Sequence, residues 1–465
     1  MSLIGNNGSY LGIKSNGTPI MSFQTNMNGT FSPSMTIASG TLKWVIDGVT
    51  YNTNSPSIVL SGTTVNVDVY AGTVAQNETV TSVQFQNQNI IGSLNFEWFT
   101  LSGIFYAYSN PSLSSITFST NANTSSSFNV SSCALTTLDL NNFTLSGTFN
   151  ANFNSSLSSI TFSTNTNTSS DFRVYSCALT SLDLSYFTLS GLLNASLNSS
   201  LSSITFSTNA NTSSDFKVYS CALTTLDLSN FTLSGTFYTY SNTSLSSITF
   251  STNANTSSDF RVYNCALISL DLSYFTLSGV FYTYSNSSLS NITFSTNANT
   301  SSDFRVYSCA LTTLDLSNFT LSGTFNANSN TSLSSITFST NANTSNYFVI
   351  YNCALTSLDL SYFTLSGIFD SNSNISLSSI VLSNYTTGLY EYNVQSCSLD
   401  LTTINGIFST LNTYFSGNTP IMDLTVVADS GTNSSPTGGS SNTDLVNLRD
   451  VVYPGAGYTF TASIN

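Results

Sequence analysis

The chain has 465 residues, enough for a large buried core, yet only 6% of them are charged and the formal net charge is −14. Seven Lys and Arg residues cannot form the basic stripe a nucleic acid needs, and the absence of His removes Ser-His-Asp and Cys-His catalysis and the commonest metal ligand. No apolar run reaches membrane-spanning length, so the exterior is expected to be Ser, Thr, Asn and Tyr in water rather than the Lys/Glu surface of an ordinary enzyme.

Taken in chain order, residues 1–36 are polar and rich in Gly and Asn, without sustained periodicity. They are expected to form an arm that docks onto a partner. No basic segment followed by an apolar run opens the chain, so a secretory signal is not expected. Residues 37–79 predict strands: TLKWVIDGVTY, SPSIVLSG and TVNVDVYAG. The Trp44-x-x-Asp47-Gly48 pattern, followed by Ser55-Pro56 and a Val-rich strand, resembles a shortened polycystic-kidney-disease-type β module. It is expected to cap the next region.

From about residue 80 to 427 the chain repeats itself. Cys133, Cys177, Cys221, Cys265, Cys309, Cys353 and Cys397 lie 44 residues apart, and no other Cys occurs. Each 44-residue block splits into two halves that begin L-x-x-L-x-L, as in Leu223, Leu226, Leu228 and then Leu245, Ile248, Phe250. The unit is therefore a coil of 22 residues. Sixteen coil starts run from Ile91 to Ile421, with a degenerate one at Leu399. Val80-x-x-Val83-x-Phe85 is an earlier copy, out of phase with Ile91 by 11 residues.

Alternation within L-x-L makes a short strand, and stacked coils pair such strands in parallel about 4.8 Å apart. Ser, Thr and Asn dominate the stretches between, which are expected to be irregular arcs. Recurrent Phe143, Phe187, Phe231, Phe275, Phe319 and Phe363, and Phe172, Phe216, Phe260, Phe304 and Phe348, are the expected core columns. Asn121, Asn165, Asn209, Asn253, Asn297 and Asn341 are placed to satisfy turning backbone. Neighbouring cysteines are two coils apart, about 10 Å, beyond reach of a disulfide; they are expected as buried structural thiols. Residues 428–465 hold a Gly/Ser/Thr loop, a short helix capped by Thr443 or Asp444, and a last strand YTFTASI, together a C-terminal cap.

These repeats resemble the leucine-rich repeat, which implies a mainly β leucine-rich-repeat solenoid with one parallel sheet. The whole plan is similar to that of surface and virion-associated leucine-rich-repeat proteins of Bacteroidota and their phages. That resemblance implies binding or structural work, with no enzyme activity and no cofactor or metal.

Three rows carry candidate function. Asp139, Asp183, Asp227, Asp271, Asp315 and Asp359 fill the outward x of L-x-L in alternate coils; Thr161, Thr205, Thr249 and Thr293 fill it in the coils between. They read either as a recognition strip for a glycan or protein, or as solvated positions copied by duplication. At about 10 Å spacing these carboxylates cannot share a cation. A second row, Asp171-Phe-Arg173, Asp215-Phe-Lys217, Asp259-Phe-Arg261 and Asp303-Phe-Arg305, suggests an ion-pair ladder worth roughly 0–1 kcal/mol per pair. Two residues later come Tyr175, Tyr219, Tyr263, Tyr307 and Tyr351, expected in the core, whereas Tyr106, Tyr108, Tyr238, Tyr240, Tyr282 and Tyr284 are expected at the surface. Asn-x-Ser/Thr sequons at Asn123, Asn142, Asn211, Asn230, Asn255, Asn299 and Asn318 read as chance in so Ser/Thr-rich a chain.

The expected function is a structural or adhesion protein on a virion surface or in the extracellular space. It would be a phage fibre or decoration protein that meets other virion or filament subunits through residues 1–36 and binds a cell-surface glycan or protein. A bacterial adhesin or filament subunit is the alternative. No nucleic acid and no membrane insertion are expected, and self-association into a homo-oligomer is left open.

Overall fold

A computed structural model describes residues 17–383, 386–417, 424–428, 433–437, 442–447, 449 and 460–464. The chain divides into two compact units, Met1–Asn209 and Ala210–Asn465. Each is a stack of coils, and each is mainly β.

The first unit opens with β1 (Met21–Thr25), β2 (Asn28–Phe31), β3 (Ser34–Ile37), β4 (Lys43–Ile46), β5 (Val49–Asn52), β6 (Ile58–Ser61) and β7 (Val65–Tyr70). The coils begin with β8 (Glu78–Gln84), β9 (Ile90–Phe96), β10 (Phe99–Tyr106) and β11 (Ser112–Phe118). The described part of the expected arm is thus not an arm. Residues 21–37 are strands, because Met21, Phe23, Thr25, Phe31 and Met35 face a core that also holds Trp44 and Phe85. Residues 1–16 lie outside the described set. The β4–β5 hairpin turns at Asp47 and Gly48, both at positive φ, as a two-residue hairpin requires.

This module covers the open edges of the first coils. β1 pairs antiparallel with β9, and β3 pairs antiparallel with β8. Bare edges would present unpaired backbone to another chain. The 11-residue offset of Val80-x-x-Val83-x-Phe85 also finds its reason. β8 pairs in parallel with β10, while β9 pairs with β11, so β8 is half a coil away, on the other flank.

The long ladders differ from expectation. In the first unit β8 and β10 continue through Asn123–Asn129, Phe143–Asn150, Asn167–Arg173 and Phe187–Asn194. In the second unit the equivalent ladder runs from Asn211–Lys217 through Phe231–Tyr238, Asn255–Arg261, Phe275–Tyr282, Asn299–Arg305, Phe319–Asn326, Asn343–Val349 and Phe363–Asp370 to Thr386–Asn393. These are the stretches expected to be irregular. A bulge in the pairing shifts the in-out alternation midway in alternate strands, which hides the strand period: Asn167, Ser169 and then Phe172 face inward. At that bulge the Ser126 carbonyl points at Gly147, and Ser214 at Gly235; a Cβ on either glycine would overlap that oxygen. Hence the Gly of L-S-G in the coils. The L-x-L strands, by contrast, pair two by two, as Thr137–Leu140 with Ser159–Phe162 and Thr225–Leu228 with Ser247–Phe250.

Inside, the Phe columns hold as expected, with rings alternately stacked and edge-on. Phe237 and Phe260 stack at 5.1 Å, while Phe250 meets Phe275 edge-on at 4.8 Å. The backbone-satisfying asparagines are not Asn165 or Asn253, which are exposed and reach only a Thr hydroxyl. They sit two residues later. Asn255 is 1% exposed, its amide donates to the Ser251 and Asn253 carbonyls, and its oxygen accepts the Leu233 N–H. A second buried series includes Asn154, which donates to the Val130 and Ala151 carbonyls and accepts from Leu135 N–H. The seven cysteines are buried thiols; Cys133 and Cys309 donate to the Ala107 and Thr283 carbonyls.

At the far end, the coil expected at Leu399 is replaced by α1 (Leu401–Gly417). Asp400 caps it by accepting the Thr403 N–H at 2.7 Å. Ile404, Ile407, Phe408, Leu411 and Phe415 form one buried stripe at helical spacing. The stripe lies among Ser and Thr that gave no helix signal. Beyond it lie strand Leu424–Ala428, the short α2 (Thr443–Asn447) capped by Asn442 rather than Thr443 or Asp444, and the expected last strand, Phe460–Ile464.

Candidate recognition surface

Asp139, Asp183, Asp227, Asp271, Asp315 and Asp359 are all exposed on the L-x-L strands, and Thr161, Thr205, Thr249 and Thr293 stand directly beside the first four. Each carboxylate also has a local partner. Asp227 accepts the Ser229 N–H at 2.9 Å, and the other five accept the N–H two residues on in the same way. The residue type is therefore accounted for by the turn that follows the strand. Thr293 and Asp315 border a hollow of about 150 Å³. Among the described residues, no cluster of His, Cys, Asp or Glu could hold a metal.

The opposite flank, made by the long ladder, carries a different chemistry. Tyr175, Tyr219, Tyr263, Tyr307 and Tyr351 are not in the core but half-buried at the surface. The reason is simple alternation: Phe260 and Val262 point in, so Arg261 and Tyr263 point out together. In the second unit these tyrosines interleave with Tyr240 and Tyr284 into one parallel stack. Tyr219–Tyr240, Tyr240–Tyr263, Tyr263–Tyr284 and Tyr284–Tyr307 have centroids 4.5, 4.6, 4.4 and 4.5 Å apart, with planes within 11°. Burial, followed by the adjoining hydroxyls, pushes Tyr240 up to about 12.

A second column runs beside the stack, in register Lys217, Tyr238, Arg261, Tyr282, Arg305. Cation and ring alternate: Arg261 lies 5.0 Å from the Tyr238 centroid and 5.2 Å from that of Tyr282, and Arg305 lies 4.9 Å from Tyr282. The ion pairs form within a strand, not between coils as a ladder would require. Arg261 Nε meets Asp259 at 2.7 Å and Arg305 meets Asp303 at 2.7 Å. Tyrosine joins the coils: Tyr238 and Tyr282 hydroxyls donate to Asp259 and Asp303 of the next coil. Burial and then this hydrogen bond push Tyr238 up to about 12.

Both columns stop at one rung. The register places Asn326 after Arg305 and Val349 after Asn326. Backbone bonds Ser308 N–H to Asn328 and Ser329 N–H to Tyr351 place Asn328 between Tyr307 and Tyr351. A polar groove of about 720 Å³ opens there, lined by Arg305, Tyr307, Thr324, Asn326, Asn328, Asn346, Tyr347, Tyr351 and Tyr390 among others.

In the first unit the flank is sparser. Arg173 pairs with Asp171 at 2.6 Å, and Phe153 meets Tyr175 edge-on at 5.0 Å, but Ser131, Asn152 and Ser196 occupy the ring positions between. Of the sequons, Asn123, Asn211, Asn255 and Asn299 are buried and closed to modification in the folded chain, while Asn142, Asn230 and Asn318 are exposed.

Repeating coils with a built polar-aromatic flank define a repeat protein of the leucine-rich class. The family model described as BspA type leucine-rich repeat region matches residues 78–190, 194–280 and 278–371, in six copies. The chain belongs to that family. No curated protein and no solved structure shows a significant match to it.

Proposed function

We propose that this chain is a non-enzymatic adhesion protein displayed on an outer surface, a bacteriophage fibre or decoration protein that binds a host surface glycan or protein. The observation that carries the reading is the tyrosine stack from Tyr219 to Tyr307. Tyrosine offers a large contact area with few rotatable bonds and a polar tip, which is why binding surfaces are rich in it. A row of equivalent contacts suits a polymer that repeats too, because linked weak contacts add avidity. The Asp/Thr strip on the strand face lies outside the contact surface in this proposal, because each aspartate is bound to its own turn, and the residues before β1 supply attachment to neighbouring subunits. The BspA-type match over most of the coils favours a second reading, a bacterial surface adhesin or extracellular filament subunit.

The test is binding of the purified full-length chain to intact bacteria, with and without Tyr240→Ser, Tyr263→Ser and Tyr284→Ser together. At least a tenfold loss is expected; equal binding by both proteins rejects the tyrosine flank. Antibody labelling of particles released after lysis, against envelope fractions, separates virion from cell.

A further inference from the structure

We infer that the rung at Asn326 and Asn328 is a built subsite for one pyranose ring of a neutral glycan. This rests on the adhesion reading above and names the ligand class of that surface.

The argument starts from spacing. Adjacent rings of the stack are 4.4–4.6 Å apart, the separation of strands in the ladder beneath them. Tyr307 and Tyr351 occupy the rungs on either side of Asn328, so they stand two strand spacings apart, about 9–10 Å. One ring is missing between them. Asn328 cannot fill the gap: it is short, only 7% exposed, and forms the floor. Asn326 is held down as well, its side chain accepting the Asn328 N–H at 3.2 Å.

Asn152 and Ser196 also lack a ring at the equivalent position, but the surround of Asn328 differs. Where earlier coils have Asp259 and Asp303, this one has the exposed Tyr347, and Tyr390 adds a further half-exposed ring to the groove. The walls are therefore aromatic. The floor and rim are amides and hydroxyls: Ser308, Thr324, Asn326, Asn328, Ser329 and Asn346. Arg305, the one charge among the lining residues, is already paired with Asp303.

A sugar ring meets both demands. Its C–H faces stack on aromatic rings, while its equatorial hydroxyls reach the amides at the edge. An aromatic side chain from a protein partner would satisfy the walls but would strip water from the amides without replacing those hydrogen bonds. An anionic ligand would find no unpaired cation among the groove's lining residues.

The full-length chain is screened against immobilised neutral oligosaccharides of gluco, galacto and manno configuration, and hits are titrated calorimetrically. Asn328→Tyr restores the missing ring at a rung whose equivalents, Tyr240 and Tyr284, already carry it. It should keep the unfolding midpoint and weaken binding at least tenfold. Tyr351→Ser, which removes one wall, should weaken it similarly. Absence of any hit, or Asn328→Tyr binding its hit as tightly as wild type, overturns the subsite. So does binding to bacteria that survives periodate oxidation of their glycans yet is lost in Asn328→Tyr, because the slot then holds a protein side chain. If wild type and Asn328→Tyr bind bacteria equally, the subsite fails while the adhesion reading stands. If neither binds, the adhesion reading fails.

Discussion

The strand face and the ladder flank of the same coils use their polar residues in opposite ways. On the strand face each aspartate is bound to its own turn: Asp227 accepts from Ser229 and Asp271 from Ser273. On the ladder flank of the second unit the contacts run from coil to coil. Tyr263 touches Tyr240 on one side and Tyr284 on the other, and Tyr238 donates to Asp259 of the next coil. The aspartate row is the more regular of the two, unbroken from Asp139 to Asp359, while Asn152, Ser196 and Asn328 interrupt the rings. Regularity alone therefore does not mark a binding surface; the direction of the contacts separates a local turn device from an extended array.

The largest effect should come from beneath both faces and sets the scale. Asn255→Ala leaves the Leu233 N–H and two carbonyls without their buried partner, at about 1–3 kcal/mol per group. Chemical denaturation should show a loss of about 3 kcal/mol or more. Next, Tyr263→Ser removes two ring contacts of about 0.5–1.5 kcal/mol each. A loss near 2 kcal/mol is expected, and it should be non-additive with Tyr240→Ser, since the two share a contact.

Alkali should loosen the flank without touching the strand face. Tyr238, Tyr240 and Tyr282 are each raised to about 12, mainly by burial. A raised folded value means that their contribution is complete below the ordinary tyrosine range near pH 10 and is lost as pH climbs toward 12. Ultraviolet titration of the native chain should show a late-ionising tyrosine class, and melting temperature should fall over the same window. The smallest effect is Asp227→Ala, about 0.5–1.5 kcal/mol for one exposed turn bond, additive with Asp271→Ala. Non-additivity there would erase the contrast between the faces.

Much of this was legible in the sequence. The 44-residue cysteine spacing and the L-x-x-L-x-L halves define the coil, and Phe172 or Leu226 read correctly as core. The ladder strands did not, because the bulge between Ser257 and Asp259 breaks a period of two. Nor did the buried asparagines, since Asn253 and Asn255 differ only in which of two near-identical positions the turn buries. The tyrosine column was readable in principle: counting alternately from Phe260 puts Arg261 and Tyr263 on one side. The groove could not be read without the register, which alone shows that Asn328 falls between Tyr307 and Tyr351. Helix α1 was hidden by its Thr, Ser and Asn, although Ile404, Ile407, Phe408 and Leu411 keep helical spacing.

The central claim is that recognition belongs to the tyrosine flank. One binding assay on intact bacteria tests it, comparing Tyr240→Ser/Tyr263→Ser/Tyr284→Ser with Asp227→Asn/Asp271→Asn/Asp315→Asn at matched folding. The account predicts at least a tenfold loss for the tyrosine variant and less than a twofold change for the aspartate variant; the reverse order would contradict it.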